Sequence, residues 1–366
     1  MEKIKRKLNV SGYRGIWGDT LTEKIVLDYT KAFAKFTKEA VKKEHPSILI
    51  GRDGRATGGH IRNLIVKELK RLGVNTIDGD ILPTPTVLFS VRKHNYDGGI
   101  IVTASHDPIE YNGLKFINKK ALFTIEDEVT KIEKYYTEYE KEVNSIKESS
   151  SFKKKSFLSK IFSIQPIKNN PNFLKEHADQ IVAHVNVEKI KAKKFKVAVD
   201  MINASACVLD PYLFEKLGVE LFPLNNIPNG KFTHKPEPLK ENLGDIAKLV
   251  KESKADLGFA HDPDADRLVI ANEKGEVISE EYSIVIAIEN ILSKNPGRAI
   301  ILNLSTSQMG ADVATKHKSP CFRTKIGEGY VVEGMVKHDA IAGGEGNGGI
   351  IYPTINTVRD SFTGIA

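Results

Sequence analysis

A chain of 366 residues is two to three times the length of an ordinary domain, so more than one hydrophobic core is expected. With 40% hydrophobic and 28% charged residues, it falls outside the disordered, collagen-like and low-complexity classes. No apolar run reaches the roughly 18 residues of a membrane span, and the basic residues 1–7 have no apolar stretch behind them to make a secretory signal. Two cysteines, Cys207 and Cys321, make neither a disulfide framework nor a CxxC pair, which argues for a reduced, cytoplasmic setting. The net charge of +7 comes from one segment: residues 141–200 hold 13 lysines, 6 acids and no arginine. Arginine is the residue that reads base edges and clamps phosphates in a fork. The excess therefore reads as a solvated linker and helix face, with neither nucleic acid nor membrane as partner.

The expected elements follow a repeated βαβ scheme, which implies mostly parallel sheets wrapped by helices. In the first third, an apolar run at 47–51 is followed by a helical stretch through Leu64, Leu69 and Leu72, a run after Val74, and a strand at 98–103. Residues 141–172, rich in Ser, Lys and Asn with Pro166 and Pro171, break the pattern and read as an inter-domain connection with a short helix at 157–162. A strand at 195–200, a helix at 209–217 and a strand at 256–260 make the second unit. It closes with a hairpin turning at 272–275 and meets the third unit near Ile278. The third repeats the scheme, with a strand at 299–302, a helix from Gln308 and a strand around Ile341.

In each unit a strand runs directly into a polar loop: residues 103–108, 261–267 and 343–349. Ligands of open α/β sheets bind beyond the carboxyl ends of strands, so three such loops imply one shared cleft. Asp262, Asp264 and Asp266 alternate, which can aim three carboxylates at one hard cation. A calcium EF-hand fails as an alternative because its sixth position, which needs glycine, holds Arg267, and residues 268–271 read as a strand rather than a helix. Ser105, beside His106, either caps a turn or, facing a cation, carries a phosphoryl group. Gly344, Gly346 and Gly349 match G-x-G-x-x-G formally, but the loop runs into Ile350 and Ile351 rather than opening a helix. With Glu345 and Asn347 among the glycines, it suits sugar hydroxyls or is a plain turn. Arg14, between Gly12 and Gly15, is placed to meet a phosphate. Residues 51–55, which include Arg52, Asp53 and Arg55, either meet a phosphate in the same way or, as the favoured reading, form an ion-paired turn. Lys115 lies ten residues after Ser105 and can return to the same cleft.

Taken together and in order, these loops resemble the α-D-phosphohexomutase superfamily, the likeness running from Val10 to Ala366. Residues 11–15 resemble its opening loop and 103–108 its phosphoserine loop, although Asp107 stands where Asn is commoner. Residues 262–267 resemble its magnesium loop, with Pro263 where many members have Gly. Residues 324–328 and 344–349 resemble its substrate loops.

The resemblance implies an α/β fold of three tandem, doubly wound mixed-sheet domains sharing a central cleft. These would be domain I (1–145) with the phosphoserine loop, domain II (146–277) with the metal loop and domain III (278–366) with the sugar loop. It implies that a phosphorylated Ser105 moves phosphate between C6 and C1 of a hexose through a bisphosphate intermediate. One Mg²⁺ would sit on Ser105, Asp262, Asp264 and Asp266, and a hexose bisphosphate would serve as activator. Arg14 and Arg267 would meet phosphate, while His106 and Lys115 are both general acid/base candidates. Gly327, Glu328, Glu345 and Asn347 would bind substrate. The partners implied are small hexose phosphates, for a cytoplasmic monomer or homodimer.

The family's fourth domain is absent, and the chain stops at Ala366 where a helix should be running. The expectation is therefore an incomplete sequence, binding sugar phosphates weakly and turning over poorly. A non-catalytic phosphosugar-binding protein and a metal-dependent sugar phosphatase remain as alternatives. The sugar is open as well, since 345–347 resembles phosphoglucosamine mutases, whereas 262–264 also occurs among glucose and mannose enzymes.

Overall fold

A computed structural model describes residues 7–149 and 172–366 and shows one strand pattern built three times. The first unit runs β1 (Tyr13–Ile16), α1 (Glu23–Val41), β2 (Ser47–Arg52), α2 (Gly58–Arg71), β3 (Asn75–Ile81), α3 (Thr84–Lys93), β4 (Gly98–Val102), β5 (Tyr111–Ile117) and α4 (Glu126–Ser149). The second runs α5 (Phe173–Val182), α6 (Val187–Lys193), β6 (Lys196–Asp200), α7 (Ala206–Leu217), β7 (Glu220–Leu224), α8 (Gly244–Ser253), β8 (Leu257–His261) and β9 (Leu268–Ala271). The third runs α9 (Glu281–Lys294), β10 (Ile300–Asn303), α10 (Met309–Lys316), β11 (Cys321–Thr324), α11 (Glu328–His338), β12 (Ala342–Glu345), β13 (Gly349–Ile351) and α12 (Ser361–Ile365).

The sheet orders are β1-β5-β4-β2-β3, β7-β6-β8-β9 and β11-β10-β12-β13. In every unit the first repeat strand lies parallel between the second and third, and a fourth strand returns antiparallel to the third. Domain I adds β1 on the outer side of β5. The three hairpins β4–β5, β8–β9 and β12–β13 therefore occupy equivalent places, and they are the three loops singled out by their polarity.

Burial explains why the central strands read as continuous apolar runs. β4 and β8 are covered on both faces, and Ile100, Ile101, Val102 and Ala260 are almost wholly enclosed. Helix α1 presents Val26, Tyr29 and Phe33 to the core; Phe33 stacks on Phe116 at 4.6 Å and Tyr29 on Tyr136 of α4 at 4.2 Å. Each such ring contributes about 1.5–3 kcal/mol by leaving water.

Helix α4 departs from the expected break at residue 141, because its backbone stays helical to Ser149. The segment is dense in Glu and Lys, free of Gly and Pro, and opens on Glu126, Asp127 and Glu128, which favour the helix N-terminus. The expected helix at 157–162 lies outside the described residues. Among the described residues, no helix is long and apolar enough to cross a membrane.

Candidate active site

Ser105 sits three residues beyond β4 with φ near +49°, a left-handed conformation costly for a residue other than glycine. Its neighbours over-determine it. Its N–H donates to Thr103 Oγ1 at 2.8 Å, and Thr103 Oγ1 donates to Asp53 Oδ2 at 2.7 Å. Arg55, 1% exposed, donates to four backbone carbonyls of the loop: Ser105 at 2.7 Å, Asp107 at 2.6 Å, Pro108 at 2.7 Å and Tyr111 at 3.0 Å. Asp53 pairs with Arg55 at 3.2 Å, so residues 51–55 form the expected ion-paired turn. Its second task, holding the serine loop, was not expected from sequence. Domain II closes over it: Phe232 lies 5.0 Å from the Arg55 guanidinium. Gly230, at φ +68°, packs so close that an added Cβ would stand 2.3 Å from Gly54 O.

The β8–β9 loop faces Ser105. Asp262 Oδ1 accepts the N–H groups of Asp266 (3.0 Å) and Arg267 (3.1 Å), which bends the loop, and Asp262 Oδ2 accepts Ser105 Oγ at 3.0 Å. Asp264 Oδ2 accepts Lys115 Nζ at 2.6 Å and Thr84 Oγ1 at 2.8 Å. Asp266 Oδ2 accepts Arg359 Nη2 at 2.6 Å. The three carboxylates are fully enclosed and offer ligand atoms all within 4.8 Å of one another. Burial, with Asp266 and Asp264 alongside, pushes the Asp262 carboxyl well above its usual range. Burial acts the same way on Asp264, but the Lys115 ammonium together with hydrogen bonds from Asp262, Lys115 and Thr84 outweighs it and holds that carboxyl below its ordinary value. Asp264 Oδ1 and Asp266 Oδ1 are buried without a hydrogen-bond partner. Two orphaned carboxylate oxygens beside a third carboxylate are the donor set a hard divalent cation requires, so these residues fit a metal.

His106 links serine and arginine. Its Nε2 lies 3.4 Å from Arg267 Nη2, which can only donate, so Nε2 accepts and Nδ1 carries the hydrogen toward Ser105 Oγ, 3.3 Å away. Burial, with Arg267 and Arg14 close by, lowers the imidazole to about 4, leaving it neutral near pH 7. Arg267 also reaches Glu237 Oε1 at 3.3 Å, and Arg14 reaches Asp107 Oδ2 at 3.3 Å.

Domain III supplies the opposite wall. Glu345, at the end of β12, accepts from Asn303 Nδ2 (2.7 Å), Gly327 N (3.1 Å), Asn347 Nδ2 (3.4 Å) and Arg359 Nη1 (2.9 Å). The loop before β13 can turn here because Gly348, at φ +86°, lies against Leu268 O, 2.5 Å from where a Cβ would stand. Glu328, in the first turn of α11, is pushed up to about 7 by burial, against the pull of Arg359 and with Asp266 and Glu345 adding to the rise.

A cavity of about 580 Å³ is lined from all three units, by Arg14, His106 and Lys115, by Arg267, and by Gly327, Glu328, Glu345, Asn347 and Arg359. Ser105 and the three aspartates lie one contact behind that lining, against His106, Lys115 and Arg359. The structure thus gathers every expected site residue around one cleft. Sequence reasoning missed Arg359 and the loop-holding role of Arg55. Arg359 sits in an irregular stretch with no spacing rule to flag it, and its only signal is a lone arginine beside Asp360 just past the sugar loop.

Three family models match in order: phosphoglucomutase/phosphomannomutase α/β/α domain I over residues 5–143, domain II over 175–275 and domain III over 279–365. A phosphoglucomutase/phosphomannomutase of Thermococcus kodakarensis is 31% identical, over 95% of this chain and 73% of its own length. A phosphoglucosamine/phosphogalactosamine mutase of Sulfurisphaera tokodaii is also 31% identical, over 97% of this chain and 74% of its own. Among solved structures, a phosphomannomutase-type protein of Thermus thermophilus superposes with a TM-score of 0.84 at 18% identity, covering 98% of this chain and 78% of that one. With all three domain models matched in sequence and the three hairpin loops meeting at one cleft, the chain belongs to the phosphoglucomutase/phosphomannomutase family of α-D-phosphohexomutases.

Proposed function

We propose that the chain interconverts hexose 6-phosphate and hexose 1-phosphate, with Ser105 as the phosphoryl carrier. The observation that carries this reading is the 3.0 Å contact between Ser105 Oγ and Asp262 across the boundary of the first two units, with two partnerless carboxylate oxygens beside it. A substrate hydroxyl attacks phosphorus of phosphorylated Ser105, the P–Oγ bond breaks, and the proton leaves the hydroxyl and ends on Oγ. The resulting bisphosphate turns over in the cleft. Ser105 Oγ then attacks its other phosphate, whose sugar oxygen leaves with the proton. His106 Nδ1–H, 3.3 Å from Oγ, is placed to give Oγ its proton as the P–Oγ bond breaks, and Lys115 is the second candidate for moving the hydroxyl's proton. A free hexose bisphosphate primes Ser105 by the same chemistry.

Asp262, Asp264 and Asp266 would hold one Mg²⁺, together with an oxygen on Ser105. When bound, the ion neutralises the phosphoryl charge that develops in transfer. Arg14 and Arg267 present planar donors to the phosphates, and Gly327, Glu328, Glu345 and Asn347 receive the sugar hydroxyls. At 1% exposure Ser105 is shielded from bulk water, which favours transfer to a sugar over hydrolysis. The setting proposed is cytoplasmic, as a monomer or homodimer acting on small hexose phosphates.

The test is turnover of glucosamine, glucose and mannose 1-phosphates with Mg²⁺ and a trace of the matching bisphosphate. Both the 6-phosphate and inorganic phosphate are measured. Isomerisation without phosphate release, abolished in Ser105→Ala, is the expected outcome. Stoichiometric phosphate release would make the protein a phosphatase, and binding without either product would make it a sugar-phosphate binder.

A further inference from the structure

We infer that Arg359 is a positioning residue that orients a metal ligand and the sugar loop with one guanidinium, an inference resting on the metal reading above. Its three nitrogens go to three carboxylates from separate segments. Nη2 holds Asp266 Oδ2 at 2.6 Å, Nη1 holds Glu345 Oε2 at 2.9 Å, and Nε holds Glu328 Oε2 at 3.1 Å. Its backbone N–H adds Glu328 Oε1 at 2.7 Å, and Nη1 also lies 3.4 Å from Asn347 Oδ1.

The consequence for Asp266 is specific. A carboxylate with both oxygens free can swing about its last torsion. Here Oδ2 is fixed by Arg359, with Lys115 at 3.7 Å, and Oδ1 is left as the oxygen available to a cation. Partners outside a metal's own ligands set ligand orientation in this way, and their loss typically costs about 10–100-fold in metal affinity. The same guanidinium fixes Glu345, which carries Asn303, Gly327 N and Asn347 with it. Metal affinity and sugar affinity therefore share an anchor, and a change at either end is felt at the other, as reciprocal linkage requires. Lysine cannot replace it, because a single ammonium on a flexible stem cannot reach three separated carboxylates with a planar fork.

The experiment is Mn²⁺ binding to the intact chain by electron paramagnetic resonance, alongside KM and kcat for hexose phosphates. It compares the wild type with Arg359→Gln, Arg359→Lys, Glu345→Gln and Asp264→Asn. Arg359→Gln is expected to weaken Mn²⁺ by about 10–100-fold and to raise KM, with Arg359→Lys recovering only part of both. Glu345→Gln keeps the arginine but removes one of its anchors, so it should weaken Mn²⁺ several-fold although Glu345 is not one of the three metal carboxylates. That variant and Arg359→Lys carry the test if Arg359→Gln does not fold. Wild-type Mn²⁺ affinity in both, with KM alone raised, would overturn the inference while leaving the metal site intact. Mn²⁺ binding by the wild type that Asp264→Asn leaves unchanged would instead overturn the metal reading, and the inference with it.

Discussion

The β4–β5 and β8–β9 loops hold the same place in two copies of one topology and face each other at 3.0 Å, yet they are stabilised in opposite ways. The serine loop is satisfied from within its own unit: Arg55 takes four of its carbonyls, and Thr103 takes the Ser105 N–H. The aspartate loop is bent from within by Asp262, but two of its buried oxygens have no partner, and Asp264 and Asp266 are held by Lys115, Thr84 and Arg359 in the flanking units. A loop that must present one atom in a strained geometry is built rigid. A loop that must take up a cation keeps acceptors in reserve and leaves excess negative charge for the ion to offset.

Breaking the rigid loop should have the largest effect. Arg55→Met leaves four loop carbonyls without their donor and the buried Asp53 carboxylate without its cation. Removing one partner of a buried pair typically costs about 3–5 kcal/mol, readable as a lower urea midpoint, and Ser105 should lose reactivity with it. A stability within about 1 kcal/mol of the wild type would mean that water replaces the guanidinium and that the loop needs no internal clamp.

Breaking the acceptor loop should cost turnover more than stability. Asp264→Asn removes a ligand without changing the side chain's shape, and kcat should fall by about 10²–10³-fold, the range for losing one preorganised electrostatic contact in a transition state. Its melting temperature should also fall in metal-free buffer, though less than that of Arg55→Met, because the buried Lys115 ammonium then keeps only Asp266, 3.7 Å away. A kcat within a few-fold of the wild type would reduce the three acids to a polar turn.

Adding metal sharpens the contrast. Mg²⁺ at about 100 times its dissociation constant should stabilise the protein by about 2.7 kcal/mol. Hydrogen exchange should slow in residues 262–267 and stay unchanged in 103–108. Equal slowing in both loops would contradict the claim that the serine loop is already satisfied.

The smallest expected effect is a pH slope. Glu328 has a folded-state value near 7, raised from an ordinary 4.5, so the folded state binds the extra proton. Its contribution is full below pH about 4.5 and is lost as pH rises through about 7. Glu328→Gln should flatten the fall in stability over that window. An unchanged slope would assign the fall to other groups.

Much of this was legible because strand ends announce themselves. Apolar runs stopping at Thr103, His261 and Gly343 marked where side chains converge, and the alternation of Asp262, Asp264 and Asp266 carried its own chemistry. What was not legible depends on long-range contact. Arg359 meets Asp266 across 93 residues of chain, and Arg55 meets Ser105 across 50, so no local pattern encodes either pairing. The helix to Ser149 was hidden for another reason. Its Lys- and Ser-rich sequence resembles a linker in composition, whereas the helix depends on the absence of Gly and Pro. The common strand order of the three units was also not legible, because the repeats share topology and not residues.

The most direct measurement maps covalent phosphate by peptide mass spectrometry after the intact chain is incubated with a hexose 1,6-bisphosphate and Mg²⁺. One phosphoryl group is expected, on the peptide containing Ser105. It should be absent in Ser105→Ala, strongly reduced in Asp264→Asn, and discharged when a hexose monophosphate is added. Phosphate confined to another residue, or monophosphate turnover persisting at full rate in Ser105→Ala, would contradict it.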